Sequence, residues 1–136
     1  MILLSYSGSV EEQVDWFIAV IDDMESSLQL TEYNLAAAGY HSVVTFKDPK
    51  AVLEHIRQGH IPRLIITDFQ MPEMNGLELL DTATRLCPSI QGLIVTGCPE
   101  LVGNTGDRFP VLGKGDKDFF RNLVDQVSHL LPVSTA

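Results

Sequence analysis

The chain predicts an α/β fold class, a parallel β-sheet with helices on both faces, and three observations point to it. Apolar runs of strand length come as unbroken blocks: Trp16 to Ile21 (WFIAVI), Leu64 to Thr67 (LIIT) and Gln91 to Thr96 (QGLIVT). Unbroken hydrophobicity suits strands buried on both faces, where half-buried strands would alternate. Between the blocks lie stretches with helical spacing, cap residues and stop residues. Strand and helix alternate along the whole chain, and right-handed crossovers then place helices on either side of one sheet.

The first strand ends at Asp22-Asp23. Met24, Leu28, Leu35 and Ala38 then fall near one helical face, and Gly39 supplies a stop. Ser42 to Phe46 (SVVTF) reads as strand two. Asp48 as N-cap and Pro49 at the first helical position open the next helix, with Ala51, Val52, His55 and Ile56 as its inward stripe. Strand three ends at Asp68. A loop from Gln70 to Asn75 leads to Gly76, which opens a helix carrying Leu77, Leu80, Thr84 and Cys87 on one side and closed by Pro88. Strand four is Gln91 to Thr96, and Pro110 to Leu112 is a short strand five. Phe120, Val124, Val127 and Leu131 mark the last helix, with Phe119, Leu123 and Leu130 widening its stripe. The organisation is an N-terminal extension over 1–14, one domain over 15–132 and a C-terminal tail over 133–136.

A length of 136 residues with 45% hydrophobic content is enough for one core. No apolar run approaches the roughly 20 residues of a membrane span. Met1 to Leu4 are apolar but follow no basic segment, which makes a poor signal peptide. Cys87 and Cys98 form no CxxC pair, so a reducing compartment, the cytoplasm, is expected. The net charge of −9 argues against direct nucleic-acid contact and fits cations or basic partner surfaces. His41, His55, His60 and His129 lack zinc-ligand spacing.

In a doubly wound sheet, ligands bind beyond the carboxyl ends of the strands. Asp22 and Asp23 end strand one, Asp68 ends strand three, Thr96 ends strand four and Lys114 follows strand five, so all emerge on one edge. Three carboxylates within about 4 Å would repel by roughly 4 kcal/mol per pair at an effective dielectric near 20. A hard divalent cation among the oxygens makes such a cluster tolerable, and Mg²⁺ suits it. Asp68 can then act as a carboxylate nucleophile toward phosphorus. Lys114 adds positive charge, the Thr96 hydroxyl donates to a phosphoryl oxygen, and Gly97 leaves space and a free backbone N–H beside it.

These residues resemble the receiver domain of two-component response regulators, the domain of chemotaxis regulators and sporulation phosphorelay proteins. The resemblance covers roughly residues 15 to 132 and rests on IDDM at 21–24, LIITDFQMPEMNGLELL at 64–80, LIVTG at 93–97, and Lys114. It implies a flavodoxin-like five-stranded sheet of order 2-1-3-4-5. It implies Asp68 as phospho-acceptor, with Mg²⁺ (or Mn²⁺ in its place) held by Asp22, Asp23, Asp68 and the main-chain carbonyl of Gln70. Thr96 would be the switch hydroxyl and Lys114 the phosphate-pairing lysine. The implied donor is a histidine kinase or a histidine phosphotransfer protein, reached through the first helix and the loops around the acids. A downstream protein target and a phosphorylation-dependent dimer complete the expected partners, with no membrane insertion.

The sequence departs from the family pattern in three places. Gly115 follows Lys114 where family members usually carry Pro. Val111 stands where the aromatic partner of the switch hydroxyl normally lies, and Phe109 is out of register for that role. Only 17 residues separate Thr96 from Lys114, and their glycines and prolines leave the fourth helix shortened or absent. The expectation is that Thr96 still moves toward the phosphoryl group, that no ring follows it, and that the loop from Cys98 to Pro110 is the mobile element. Two other functions are compatible with parts of this pattern. A degenerate receiver would act as an interaction module independent of phosphorylation. A dehalogenase-type phosphatase would want a second Asp two residues after Asp68, where Gln70 stands.

Overall fold

Five short strands, β1 (Ile18–Ile21), β2 (Val43–Phe46), β3 (Leu64–Asp68), β4 (Gln91–Thr96) and β5 (Val111–Gly113), pair in parallel in the order β2-β1-β3-β4-β5. The computed structural model describes residues 16–103, 105 and 108–132. The expected extension over 1–14 and the tail over 133–136 lie outside the described residues. Among the described residues four α-helices accompany the sheet: α1 (Glu25–Ala37), α2 (Pro49–Arg57), α3 (Gly76–Leu86) and α4 (Phe119–Leu130). Among the described residues between β4 and β5, where a fifth helix would complete the alternation, the helical element is a 3-10 turn, Pro99–Leu101. None of these helices is long and apolar enough to cross a membrane.

Alternate strand residues feed two separate cores. Ala19, Ile21, Ile65 and Ile94 face α2 and α3, whose Val52, Leu53, Ile56, Leu79, Leu80 and Ala83 close that side. Ile18, Val20, Leu64, Ile66, Leu93 and Val95 face α1 and α4, which contribute Leu28, Leu35, Phe119, Leu123 and Val127. Strands buried on both faces are why β1, β3 and β4 appear in the sequence as continuous apolar blocks. Each fully buried Leu or Ile contributes roughly 1.5–3 kcal/mol.

Local chemistry fixes where the helices begin and end. Asp48 accepts from Lys50 N and Pro49 opens α2, as its sequence indicates. At α3 a capping box operates: Asn75 Oδ1 accepts from Glu78 N at 2.8 Å, and Glu78 Oε1 accepts from Asn75 N at 2.9 Å. Gly39 follows α1 with φ of 101°, a left-handed conformation that favours glycine.

Several stripe assignments are corrected. Met24 sits at the N-cap of α1 and is exposed, so it is no part of the inward face. In α2, Leu53 is buried and Ala51 is exposed. In α3 the buried residues are Gly76, Leu79, Leu80 and Ala83, with Thr84 and Cys87 at the margin. In α4 they are Phe119, Leu123 and Val127, and Phe120 and Val124 are only partly covered. Only α2 and α3 bury residues outside their expected stripes, Leu53 in α2 and Leu79 and Ala83 in α3. The strand limits also shift: β1 starts at Ile18, so Trp16 and Phe17 lie outside it, and β5 runs from Val111 to Gly113.

Candidate functional site

Strand register builds the site. Ile21 pairs with Thr67, so Asp22 and Asp68 leave adjacent strands at the same level. Asp68 pairs with Val95, which brings Thr96 one step beyond it. Thr96 pairs with Gly113, and Lys114 follows immediately. Residues drawn from four strand ends therefore meet at one edge.

Carboxylate oxygens of Asp22, Asp23 and Asp68 all lie within 4.8 Å of one another. Asp22 is buried, Asp68 half-buried and Asp23 exposed. Lys114 Nζ is 3.0 Å from Asp22 Oδ2 and 3.4 Å from Asp68 Oδ1. The remaining bonds leave the cluster open toward solvent. Asp22 Oδ1 accepts from Met24 N at 3.0 Å, which starts α1, and Asp68 Oδ1 accepts from Phe69 N at 2.9 Å. Asp68 Oδ2 has no protein partner among the described residues. Burial pushes the Asp68 carboxyl above its ordinary pKa; Lys114 opposes this and Asp22 adds to it.

The donor set fits a hard cation. At Mg–O distances near 2.1 Å, neighbouring ligand oxygens of an octahedron are about 3 Å apart and opposite ones about 4 Å apart. The aspartate oxygens lie within 4.8 Å of one another, so modest side-chain shifts bring them to that spacing, and every donor is oxygen. Gln70 lies two residues past Asp68 in the β3–α3 loop with its side chain exposed.

Thr96 is buried at the end of β4, and its Oγ1 accepts from Cys98 N at 3.1 Å, which leaves its own hydrogen to donate. Gly97 is exposed, and a Cβ there would meet nothing within 4 Å, so this side of the site is open. Phe109 is buried in the α2–α3 core and Val111 packs beside it, so no aromatic ring is poised next to Thr96 from either position.

Two further residues hold the Asp68 backbone, and neither has a sequence signal for that role. Thr67 Oγ1 donates to Asp68 O at 2.8 Å. Gly76 lies directly under that carbonyl: a Cβ there would come within 2.5 Å of Asp68 O and 3.1 Å of Thr67 Cγ2. The spacing of Gly76 from Asp68 belongs to the LIITDFQMPEMNGLELL motif, but its steric reason needs the fold. Beside Asp22 and Lys114, a cavity of about 190 Å³ opens between α1 and α4, lined by Leu30, Phe119, Phe120 and Leu123 among others.

Comparison with known proteins places this geometry. The response regulator receiver domain family model matches residues 18–102. The chain belongs to that family. The match ends before β5 and Lys114, in the loop where the sequence departs from the family pattern. The chain is 32% identical over 99 residues to response regulator receiver protein CpdR of Brucella abortus (strain 2308), covering 71% of this chain and 81% of that one. It is 37% identical over 62 residues to the transcriptional regulatory protein PhoP of Bacillus subtilis (strain 168), covering 46% of this chain and 25% of that longer protein. Among solved structures, the response regulator TrrA of Thermotoga maritima, in complex with Mg²⁺-BeF, superposes with a TM-score of 0.70 at 23% identity, covering 84% of this receiver and 97% of TrrA. The sheet order and the paired faces are those the family resemblance implied.

Proposed function

We propose that this receiver accepts a phosphoryl group from a phosphohistidine onto Asp68 and uses it to switch contacts with other proteins. The meeting of Asp22, Asp23, Asp68 and Lys114 at one sheet edge carries this reading. Asp68 Oδ2 attacks phosphorus, the P–N bond to the donor imidazole breaks, and the imidazole leaves with the electron pair. Loss to water reverses the arrangement: a water oxygen attacks phosphorus and the carboxylate departs. No separate substrate is turned over, so the chain is a signalling module with self-phosphorylating and self-dephosphorylating chemistry.

Asp22, Asp23, Asp68 and the Gln70 carbonyl would hold Mg²⁺, or Mn²⁺ in its place. When bound, the ion offsets charge on the phosphoryl oxygens. The TrrA complex with Mg²⁺-BeF supports this pair of ligands here. Lys114 would turn from the carboxylates toward a phosphoryl oxygen, Thr96 would donate its hydroxyl hydrogen to another, and the Gly97 N–H is placed in open space for a third.

The donor, a histidine kinase or histidine phosphotransfer protein, would dock over α1. Met24, Leu30 and Tyr33 are 58%, 52% and 70% exposed there, beside the cavity that reaches Asp22. Such a role fits a cytoplasmic protein with a downstream protein target and a dimer formed on phosphorylation. Of the other functions, the phosphatase reading lacks its acid, since Gln70 stands in that position, and the degenerate receiver does not account for the retained acids and lysine.

Intact mass after treatment with a small acyl phosphate and Mg²⁺ tests the proposal. One phosphoryl group should add to the wild-type chain, and none to Asp68→Asn or to wild type with EDTA. An unchanged wild-type mass would defeat the reading.

A further inference from the structure

The family pattern puts Pro after the lysine, and this chain has Gly115, which imposes no restraint: a Cβ there would meet nothing within 4 Å. Lys114 nevertheless sits on two carboxylates. We propose that Pro99 takes over the restraint, as a positioning residue that holds Lys114 in the site by packing its ring on Gly113. This inference rests on Asp68 being the phospho-acceptor.

The contact is built by the chain reversal after β4. Thr96 Oγ1 accepts from Cys98 N at 3.1 Å, which bends the chain back over the sheet edge. Pro99 then opens a 3-10 turn closed by Leu101 N to Cys98 O at 3.0 Å and Val102 N to Pro99 O at 3.1 Å. Val102 is buried in the α2–α3 core, so the far end of the turn is anchored. The Pro99 ring lies on Gly113: a Cβ at Gly113 would come within 3.1 Å of Pro99 Cγ and 3.9 Å of Cδ. The ring therefore lies close against Gly113, and a side chain there would crowd it by a few tenths of an ångström.

On its other side the same segment is bonded to β4. Gly113 pairs with Thr96, and Lys114 N donates to Thr96 O at 2.7 Å. The stem of Lys114 therefore leaves a backbone gripped by β4 along one edge and capped by a rigid ring above. Proline has a fixed φ and a closed ring, so it can press on Gly113 with little loss of side-chain freedom. In the family pattern the ring follows the lysine in sequence; here it reaches the residue before the lysine through space.

The test uses the full chain with a small acyl phosphate and Mg²⁺, reading Asp68 phosphorylation by intact mass in wild type, Pro99→Ala, Pro99→Ala with Gly115→Pro, and Lys114→Met with and without Pro99→Ala. Loosening the lysine by a fraction of an ångström should slow Pro99→Ala by about tenfold, with half-saturating Mg²⁺ unchanged. Gly115→Pro should restore most of that rate, since its position is open and its backbone lies outside the left-handed region. In the Lys114→Met background, Pro99→Ala should have no further effect. Exchange of the Lys114 amide, measured with no donor present, should be faster in Pro99→Ala. A wild-type rate in Pro99→Ala, or equal slowing with and without Lys114, would overturn the inference. Should wild type itself take no phosphoryl group, the proposed function falls, and the amide exchange at Lys114 still decides whether Pro99 holds it.

Discussion

The ammonium of Lys114 lies 3.0 Å from Oδ2 of Asp22, a residue 92 positions earlier in the chain. The Asp22 side chain is 6% exposed and that of Lys114 29%, so the pair is largely withdrawn from water. Removing one member leaves charge uncompensated in the interior. Lys114→Met is expected to lower the stability of the metal-free protein by about 2 kcal/mol. Added Mg²⁺ should recover much of the loss by binding among the same carboxylates. Urea unfolding with and without Mg²⁺ measures both effects; identical metal-free midpoints for variant and wild type would contradict the pairing.

Asp68 gives a pH signature of opposite sign to a surface carboxylate. Burial raises its pKa above the ordinary value, with Asp22 adding and Lys114 opposing. An acid whose folded pKa is raised contributes stability that is complete below its unfolded pKa, about 3.9, and is lost as pH rises through the folded value. Asp68→Asn removes that loss. Without metal it should melt a few degrees above wild type at neutral pH, with the gap closing as pH falls toward about 4. Thermal melts at the two pH values decide it, and a gap that widens in acid would show the sign to be wrong.

Gly76→Ala should damage both fold and reaction. The added Cβ would lie 2.5 Å from Asp68 O, a backbone atom held by Thr67, so relief requires moving the strand end that carries the proposed phospho-acceptor. Overpacking of this kind costs about 2 kcal/mol. Chemical denaturation should report that loss, and the phosphorylation rate should fall by more than the small fraction of unfolded chain explains.

Tyr40→Phe separates stability from chemistry. The buried hydroxyl donates to Leu131 O at 2.7 Å, tying the end of α1 to the end of α4. Losing it should cost about 1 kcal/mol in urea unfolding. The phosphorylation rate should stay at the wild-type level, since Tyr40 lies away from the strand ends that carry the acids.

What could be read directly from the sequence was set by burial on two faces and by chain order. β1, β3 and β4 are unbroken apolar blocks because helices cover both sides, and a parallel sheet then brings Asp22, Asp68, Thr96 and Lys114 to one rim. The shortened region before β5 was equally visible in its glycines and prolines. Helix faces were less legible. In α2, Ala51 and Leu53 are both compatible with the spacing, and only the roll of the helix against the sheet buries Leu53. The Asn75–Glu78 capping box is a local pattern that the sequence itself carries. Tyr40–Leu131 and Pro99–Gly113 join residues whose nearness comes from topology, and no local signal announces either contact.

Lys114 is delivered by β5, a three-residue strand at the sheet margin that pairs with β4 alone. The carboxylates are delivered by β1 and β3, which have neighbours on both sides. Fraying begins at such margins. The counter-charge can therefore detach in a local opening that leaves the acids and the rest of the sheet intact, so the site has a softer half and a harder half, and mild denaturant should silence the receiver before it unfolds.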